Sequence, residues 1–135
     1  MVLQSGIALR ILPLDVTHQV RVSENRLQAL AQMANENGPR LADIFESYRN
    51  NEYRDVREQG APLHDPCAIA AAVWPELFGF ERVFVQVETQ GQLTMGACVL
   101  EREHKTQHVP NAYWARQADD EALFGLFNQA ISQLI

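Results

Sequence analysis

The sequence holds one lysine, Lys105, and two cysteines, and it has no apolar run approaching the ~20 residues that cross a bilayer. Each scarcity excludes something. With 11 Lys and Arg against 17 Asp and Glu the formal charge is −6, and the basic residues are scattered. Neither a nucleic-acid polymer nor an acidic membrane surface suits such a chain as a partner. Cys67 and Cys98 lack a Cys-x-x-Cys spacing and sit in apolar runs, where free thiols act as small hydrophobes. A reducing cytoplasm is therefore the expected compartment. Arg10, Pro13 and Asp15 interrupt the apolar run nearest the start, so no secretory leader is expected. There is no internal repeat and no low-complexity tract. What remains, 135 residues at 47% hydrophobic and 21% charged, has the size and composition of one globular domain or part of one.

The hydrophobic pattern then sets out the elements. Ile7 to Leu14 is apolar apart from Arg10, which predicts a short buried strand, with Asp15-Val16-Thr17-His18 as a loop at its carboxyl end. Ser23 is a candidate N-cap for a helix whose Leu27, Leu30, Ala31 and Ala34 recur at helical spacing. Asn37-Gly38-Pro39 stops that helix and begins another, with Leu41, Ile44, Phe45 and Tyr48 on one face. From Arg49 to Gln59 the chain turns polar, which predicts a fraying helix end and a loop. Asp65-Pro66 reads as a helix start, with the Asp65 carboxylate expected to cap the orphan amides. The following Cys67–Trp74 stretch is apolar on every side, so that helix is expected to be covered all round. Val83, Val85 and Val87 alternate with Phe84, Gln86 and Glu88, the period of two expected of a strand. Ala97–Leu100 and Asn111–Arg116 predict two more strands, and Asp119, Asp120 and Glu121 open a final amphipathic helix. The order strand, helices, strands, helix predicts an α/β fold whose later strands lie close enough to pair antiparallel.

The residues with chemistry to offer cluster in Gly60-Ala61-Pro62-Leu63-His64-Asp65-Pro66-Cys67. An imidazole of ordinary pKa ~6.5 can take or give a proton near neutrality, and the neighbouring carboxylate is a hard oxygen ligand suited to calcium or magnesium. The same pair also reads as a helix cap and a loop histidine. His104 and His108 have i, i+4 spacing without the flanking carboxylates of a zinc helix, so a solvated loop is the reading there. Asp15 and His18 follow a strand end and read as turn chemistry. Tyr48 continues an apolar stripe, whereas Tyr53 is freer to meet an aromatic ligand.

Together, Gln4-Ser5-Gly6-Ile7, Leu14-Asp15-Val16-Thr17-His18, Gly60–Cys67, Pro75-Glu76-Leu77-Phe78, Val87-Glu88-Thr89-Gln90-Gly91 and Pro110-Asn111 resemble the C-terminal portion of an inosine/uridine-preferring nucleoside hydrolase. The segments fall in the family's order across nearly the whole chain, so residues 1–135 are expected to form a single partial domain. The resemblance implies an open, mostly parallel sheet with a small antiparallel element. It also implies cleavage of the N-glycosidic bond of purine or pyrimidine nucleosides. It assigns His64 to the departing base, as proton donor or hydrogen-bond partner, and Asp65 to a catalytic calcium. Tyr48 and Tyr53 are implicated in closing over the nucleobase. The family's Asp-x-Asp-x-Gly-x-Asp-Asp loop and its ribose-binding Glu-x-Asn segment are absent from this sequence. Two readings follow from that departure. In one, the chain is the leaving-group part of a nucleoside hydrolase, inactive alone and completed by a missing N-terminal half. In the other, it is a non-catalytic remnant that associates with itself through its uncovered apolar face.

Overall fold

The computed structural model describes residues 1–53, 60–102, 105 and 107–134. A 3₁₀ turn at Val2–Gln4 leads to β1 (Arg10–Ile11), α1 (Leu14–Thr17), β2 (Arg21–Val22), α2 (Glu24–Ala31) and α3 (Asn37–Glu52). Then come β3 (Ala61–Pro62), α4 (Asp65–Val73), a second 3₁₀ turn at Pro75–Leu77, β4 (Phe78–Val87), β5 (Cys98–Arg102), β6 (Ala112–Ala118) and α5 (Asp120–Ser132).

The fold is α/β, with an open four-stranded sheet in the order β1-β6-β4-β5 and a separate two-stranded ribbon, β2-β3. The sheet is mixed rather than mostly parallel: only β1 and β6 run parallel, and β4 pairs antiparallel with both β5 and β6. The reason lies in the connections. A short helix-free turn reverses the chain from β4 into β5, and β6 then lies on the opposite edge of β4, antiparallel to it. Only β1 is separated from the others by helices, which a parallel crossover requires.

The sheet buries different residues on its two faces. Phe78 and Ala115 face the helices in a core with Val16, Val20, Leu27, Leu30, Phe45, Leu63, Cys67, Leu123 and Phe124. Val83, Val85, Ala112 and Trp114 face a smaller core closed by Leu3, Leu9, Ile11 and Leu100. Trp114 and Ala115 go to opposite sides because successive strand residues do. Arg26 ties α2 to α5, bonding Asp120 at 2.8 Å and Glu121 at 2.9 Å while its guanidinium lies 3.9 Å over the Phe124 ring. At the start of α5 the Asp119 carboxylate accepts the Ala122 amide at 3.1 Å, an N-cap in the acidic run where a helix start was expected.

Several expectations need correction. The Ile7–Leu14 strand shrinks to two residues, and Ile7 and Leu14 are exposed, because only β6 flanks it and Pro13 turns the chain into α1. The Asp15–His18 segment is thus a helical turn rather than a loop. Helix α3 holds to Glu52, with Arg49 bonded to Glu24 at 2.7 Å, and Ile44 of its expected apolar face is exposed. The rest of the Arg49–Gln59 stretch expected to fray into a loop includes residues 54–59, which lie outside the described residues, as does His104. Cys67 is a buried thiol as expected, but Cys98 is exposed on β5, an edge strand of the sheet. Helix α4 is not covered all round. Cys67, Ala70 and Ala71 enter the core, while Ala68, Ile69, Ala72 and Val73 form an exposed stripe at helical spacing.

Asn111, just before β6, carries the ladder past the strand's end. Its side-chain amide accepts from the Val85 N–H at 2.8 Å and donates to the Val85 carbonyl at 2.9 Å and the Leu3 carbonyl at 3.0 Å. The side chain thereby stands in for a peptide group and fastens the N-terminal segment to β4. Asn111→Ala leaves those groups unpaired and is expected to cost about 1–3 kcal/mol, measured as a lower midpoint in urea unfolding.

Candidate active site

The site is assembled by the β2-β3 ribbon. Arg21 and Val22 pair with Pro62 and Ala61, and the Leu63 amide donates to the Val20 carbonyl at 2.8 Å. The Arg21 side chain clasps the same junction, donating to the His18 carbonyl and the Gly60 carbonyl, each at 2.9 Å. Gly60 has φ +77°, and a Cβ there would collide with the Val22 carbonyl. The tight approach of the two strands therefore requires glycine. Val20, Val22, Ala61, Pro62 and Leu63 are all buried, so the ribbon is held by packing on both strands.

This junction brings the C-terminal end of α1 against the start of α4. The Thr17 hydroxyl lies 2.8 Å from His64 Nδ1, and the Tyr53 hydroxyl, just past the end of α3, lies 2.8 Å from His64 Nε2. Tyr48, one turn earlier on α3, donates to the Tyr53 hydroxyl at 3.4 Å, and the two rings meet edge to face at 5.2 Å. His18, the C-cap of α1, places its ring 5.3 Å from that of His64. The structure therefore joins Tyr48, Tyr53 and His64 into one hydrogen-bonded chain.

Asp65 is arranged differently. It is the first residue of α4, and the cap position belongs to His64, whose ring is committed to Thr17 and Tyr53. The expected Asp65 cap is absent, because a capping residue must stand outside the first turn whereas Asp65 is within it. Its carboxylate is exposed beside the positive end of the helix dipole. Calcium takes ~6–8 oxygen ligands. Among the described residues no three His, Cys, Asp or Glu side chains are grouped to hold a metal. These residues do not make up a calcium site by themselves, and Asp65 is a single exposed carboxylate.

The electrostatics favour neutral groups. Burial holds the His64 pKa below its ordinary value, the His18 ring beside it pushes the same way, and the Asp65 carboxylate partly opposes them. Burial and the bond to Tyr53 push Tyr48 up to about 12, so its hydroxyl keeps its proton at neutral pH. Elsewhere, His108 lies against Glu101 at 3.1 Å and stacks on Phe84, in keeping with the surface-loop reading. Sequence reasoning passed over Thr17 and set His18 aside as turn chemistry. The signal that could have marked them is Leu14–His18, a segment shared with the family whose residues had no role assigned.

The comparisons agree with this architecture. The family described as inosine-uridine preferring nucleoside hydrolase matches residues 1–125, and the chain belongs to it. The pyrimidine-specific ribonucleoside hydrolase RihA of Klebsiella pneumoniae is 36% identical over 135 residues, covering 98% of this chain and 43% of that protein. The non-specific ribonucleoside hydrolase RihC of Salmonella agona is 40% identical over 118 residues, covering 87% of this chain and 37% of that protein. Among solved structures, the purine-preferring ribonucleoside hydrolase from Gardnerella vaginalis superposes with a TM-score of 0.77 at 25% identity, covering 97% of this chain and 42% of that one. The chain thus spans well under half the length of the relatives it matches. No described helix is long and apolar enough to cross a membrane.

The electrostatics make a direct prediction for the pH dependence of His64. Its folded pKa lies below the ordinary ~6.5, so the unfolded chain takes the proton first. The stability due to neutral His64 is complete above the unfolded value and is lost as pH falls from there through the lower folded pKa. Followed by NMR titration of the imidazole C–H signals, His18→Ala should raise the folded pKa and Asp65→Asn should lower it further.

Proposed function

We propose that this chain is the leaving-group side of a ribonucleoside hydrolase, an enzyme that cleaves the N-glycosidic bond to give base and ribose. The observation that carries the reading is the hydrogen-bonded chain from Tyr48 through Tyr53 to His64. In N-ribosyl hydrolysis the C1′–N bond breaks with its electron pair going to the base, and the ribosyl carbon becomes cationic before water adds. The departing base must be neutralised by a proton. A protonated His64 can pass its Nε2 proton to the Tyr53 oxygen while Tyr53, directly or through Tyr48, gives a hydroxyl proton to the base. The proton count closes with His64 neutral, the form its surroundings favour.

The relatives include pyrimidine-specific, non-specific and purine-preferring enzymes, so the substrate class proposed is ribonucleosides as a whole. Activation of water and binding of the ribose are assigned, by resemblance, to the absent aspartate-rich loop and Glu-x-Asn segment. Calcium belongs with that part, and Asp65 would contribute one ligand residue to it. A second reading, self-association of a non-catalytic remnant, is favoured by the exposed Ile69 and Val73 on α4.

The test has two arms. The isolated chain with calcium should release no measurable ribose from inosine or uridine, because groups that act as a unit lose nearly everything when their partners are missing. Turnover abolished by Asp65→Ala would overturn that expectation. Co-expressed with the N-terminal portion of a relative, the chain should support turnover, with His64→Ala lowering kcat by ~10²–10⁴ and KM changing little. Turnover indifferent to His64→Ala would sink the leaving-group assignment. Ile69→Lys should leave sedimentation unchanged if the chain is monomeric, and should shift it toward monomer if the remnant reading holds.

A further inference from the structure

We propose that Thr17 is a positioning residue for this site, its hydroxyl fixing His64 in the tautomer that carries the proton on Nδ1. The proposal rests on the leaving-group reading for its purpose, though not for its geometry. Thr17 is the one buried polar side chain among the described residues, only 3% exposed. A hydroxyl there loses its hydration and must be repaid by hydrogen bonds. Two partners are available: the Leu14 carbonyl at 3.3 Å, one turn back in α1, and His64 Nδ1 at 2.8 Å.

The hydroxyl has one proton, and the two partners make different demands. The Leu14 carbonyl can only accept, whereas Nδ1 accepts or donates according to the tautomer. If Thr17 gives its proton to Nδ1, its oxygen is left facing the carbonyl oxygen with no hydrogen between them. If it gives the proton to Leu14, both contacts are hydrogen bonds, provided Nδ1 carries a hydrogen to donate back. That arrangement continues outward without conflict. Nε2 then presents a lone pair to the Tyr53 hydroxyl, which donates to it, and Tyr48 donates to Tyr53. One proton pattern satisfies every contact from Tyr48 to Leu14.

The consequence concerns which nitrogen exchanges protons. With Nδ1–H committed to Thr17, that proton stays in place in both the neutral and the cationic ring. The proton that comes and goes is then the one on Nε2, the nitrogen facing Tyr53. In the opposite tautomer an incoming proton would land on Nδ1, on the buried side, with no tyrosine to receive it. Thr17 acts through His64 and is placed on the far side of the ring from the tyrosines.

Nitrogen-15 NMR of the full chain, at a pH where His64 is neutral, tests this without any turnover. In the unsubstituted chain Nδ1 should give the protonated-type signal and Nε2 the lone-pair type. Thr17→Val keeps the shape and removes the hydroxyl, and the Nδ1–H predominance should be lost. Thr17→Ser should restore it. A dominant Nε2–H form in the unsubstituted chain would overturn the proposal, as would an unchanged tautomer in a folded Thr17→Val chain or a failure of Thr17→Ser to rescue. Should Thr17→Val not fold, the unsubstituted chain and the serine variant still decide. Failure of the nucleoside reading would show in the ribose-release arms and leave this measurement untouched.

Discussion

Everything that makes the site a site depends on the close crossing of two short segments, Val20–Val22 and Gly60–Leu63. Two residues per strand make a ribbon that would not survive alone in water. Here it is buried on both strands, clasped by Arg21 and permitted by a glycine where a side chain would strike the Val22 carbonyl. Through this junction His64 and Thr17, which are 47 positions apart, come within hydrogen-bond distance. Tyr53, 11 positions from His64, meets the ring from its other edge. Closing such a loop costs chain entropy, and the buried valines, Ala61, Pro62 and Leu63 supply the apolar contact that offsets it.

Around this junction polar groups are divided by function. Thr17 faces inward and is fully enclosed, the two tyrosines are half-buried, and Asp65 is exposed at the mouth of α4. Burial lowers the His64 pKa and raises that of Tyr48, which favours the neutral form of each and suits groups that hand protons on rather than hold ions. Asp65, one residue along the chain from His64, sits in a different environment because the helix begins between their roles. The imidazole is bonded into the fold through Thr17 and Tyr53 while the carboxylate is exposed.

The remainder of the molecule is complete in some directions and open in others. Asn111 seals the gap between the N-terminal segment and β4, and Arg26 with Asp119 fixes α5 over the helical layer. In contrast, β1 is a two-residue edge strand, Ile7 and Leu14 flank it in solvent, and α4 presents Ile69 and Val73 outward. One stripe of the apolar helix α4 is thus bare, in a chain that spans 43% of the length of a relative such as RihA.

The sequence alone determined the longer helices and the later strands, the final capped helix, the burial of Cys67 and the family, because these depend on local periodicity, cap chemistry and residues at fixed spacing. It also singled out His64, Asp65, Tyr48 and Tyr53. It anticipated the antiparallel pairing of the later strands but misjudged what depends on neighbours distant in the chain: the mixed rather than mostly parallel sheet, the length of β1, the exposure of Cys98 and of one face of α4. The Asp65 cap failed for a one-residue reason, since Asp65 stands inside the first turn and not before it. The tertiary structure alone decided that Thr17 and His18 belong beside His64. A threonine in Leu14–His18 carries no mark of its role, because the atom it bonds belongs to a residue 47 positions away, brought to it only when β2 and β3 pair.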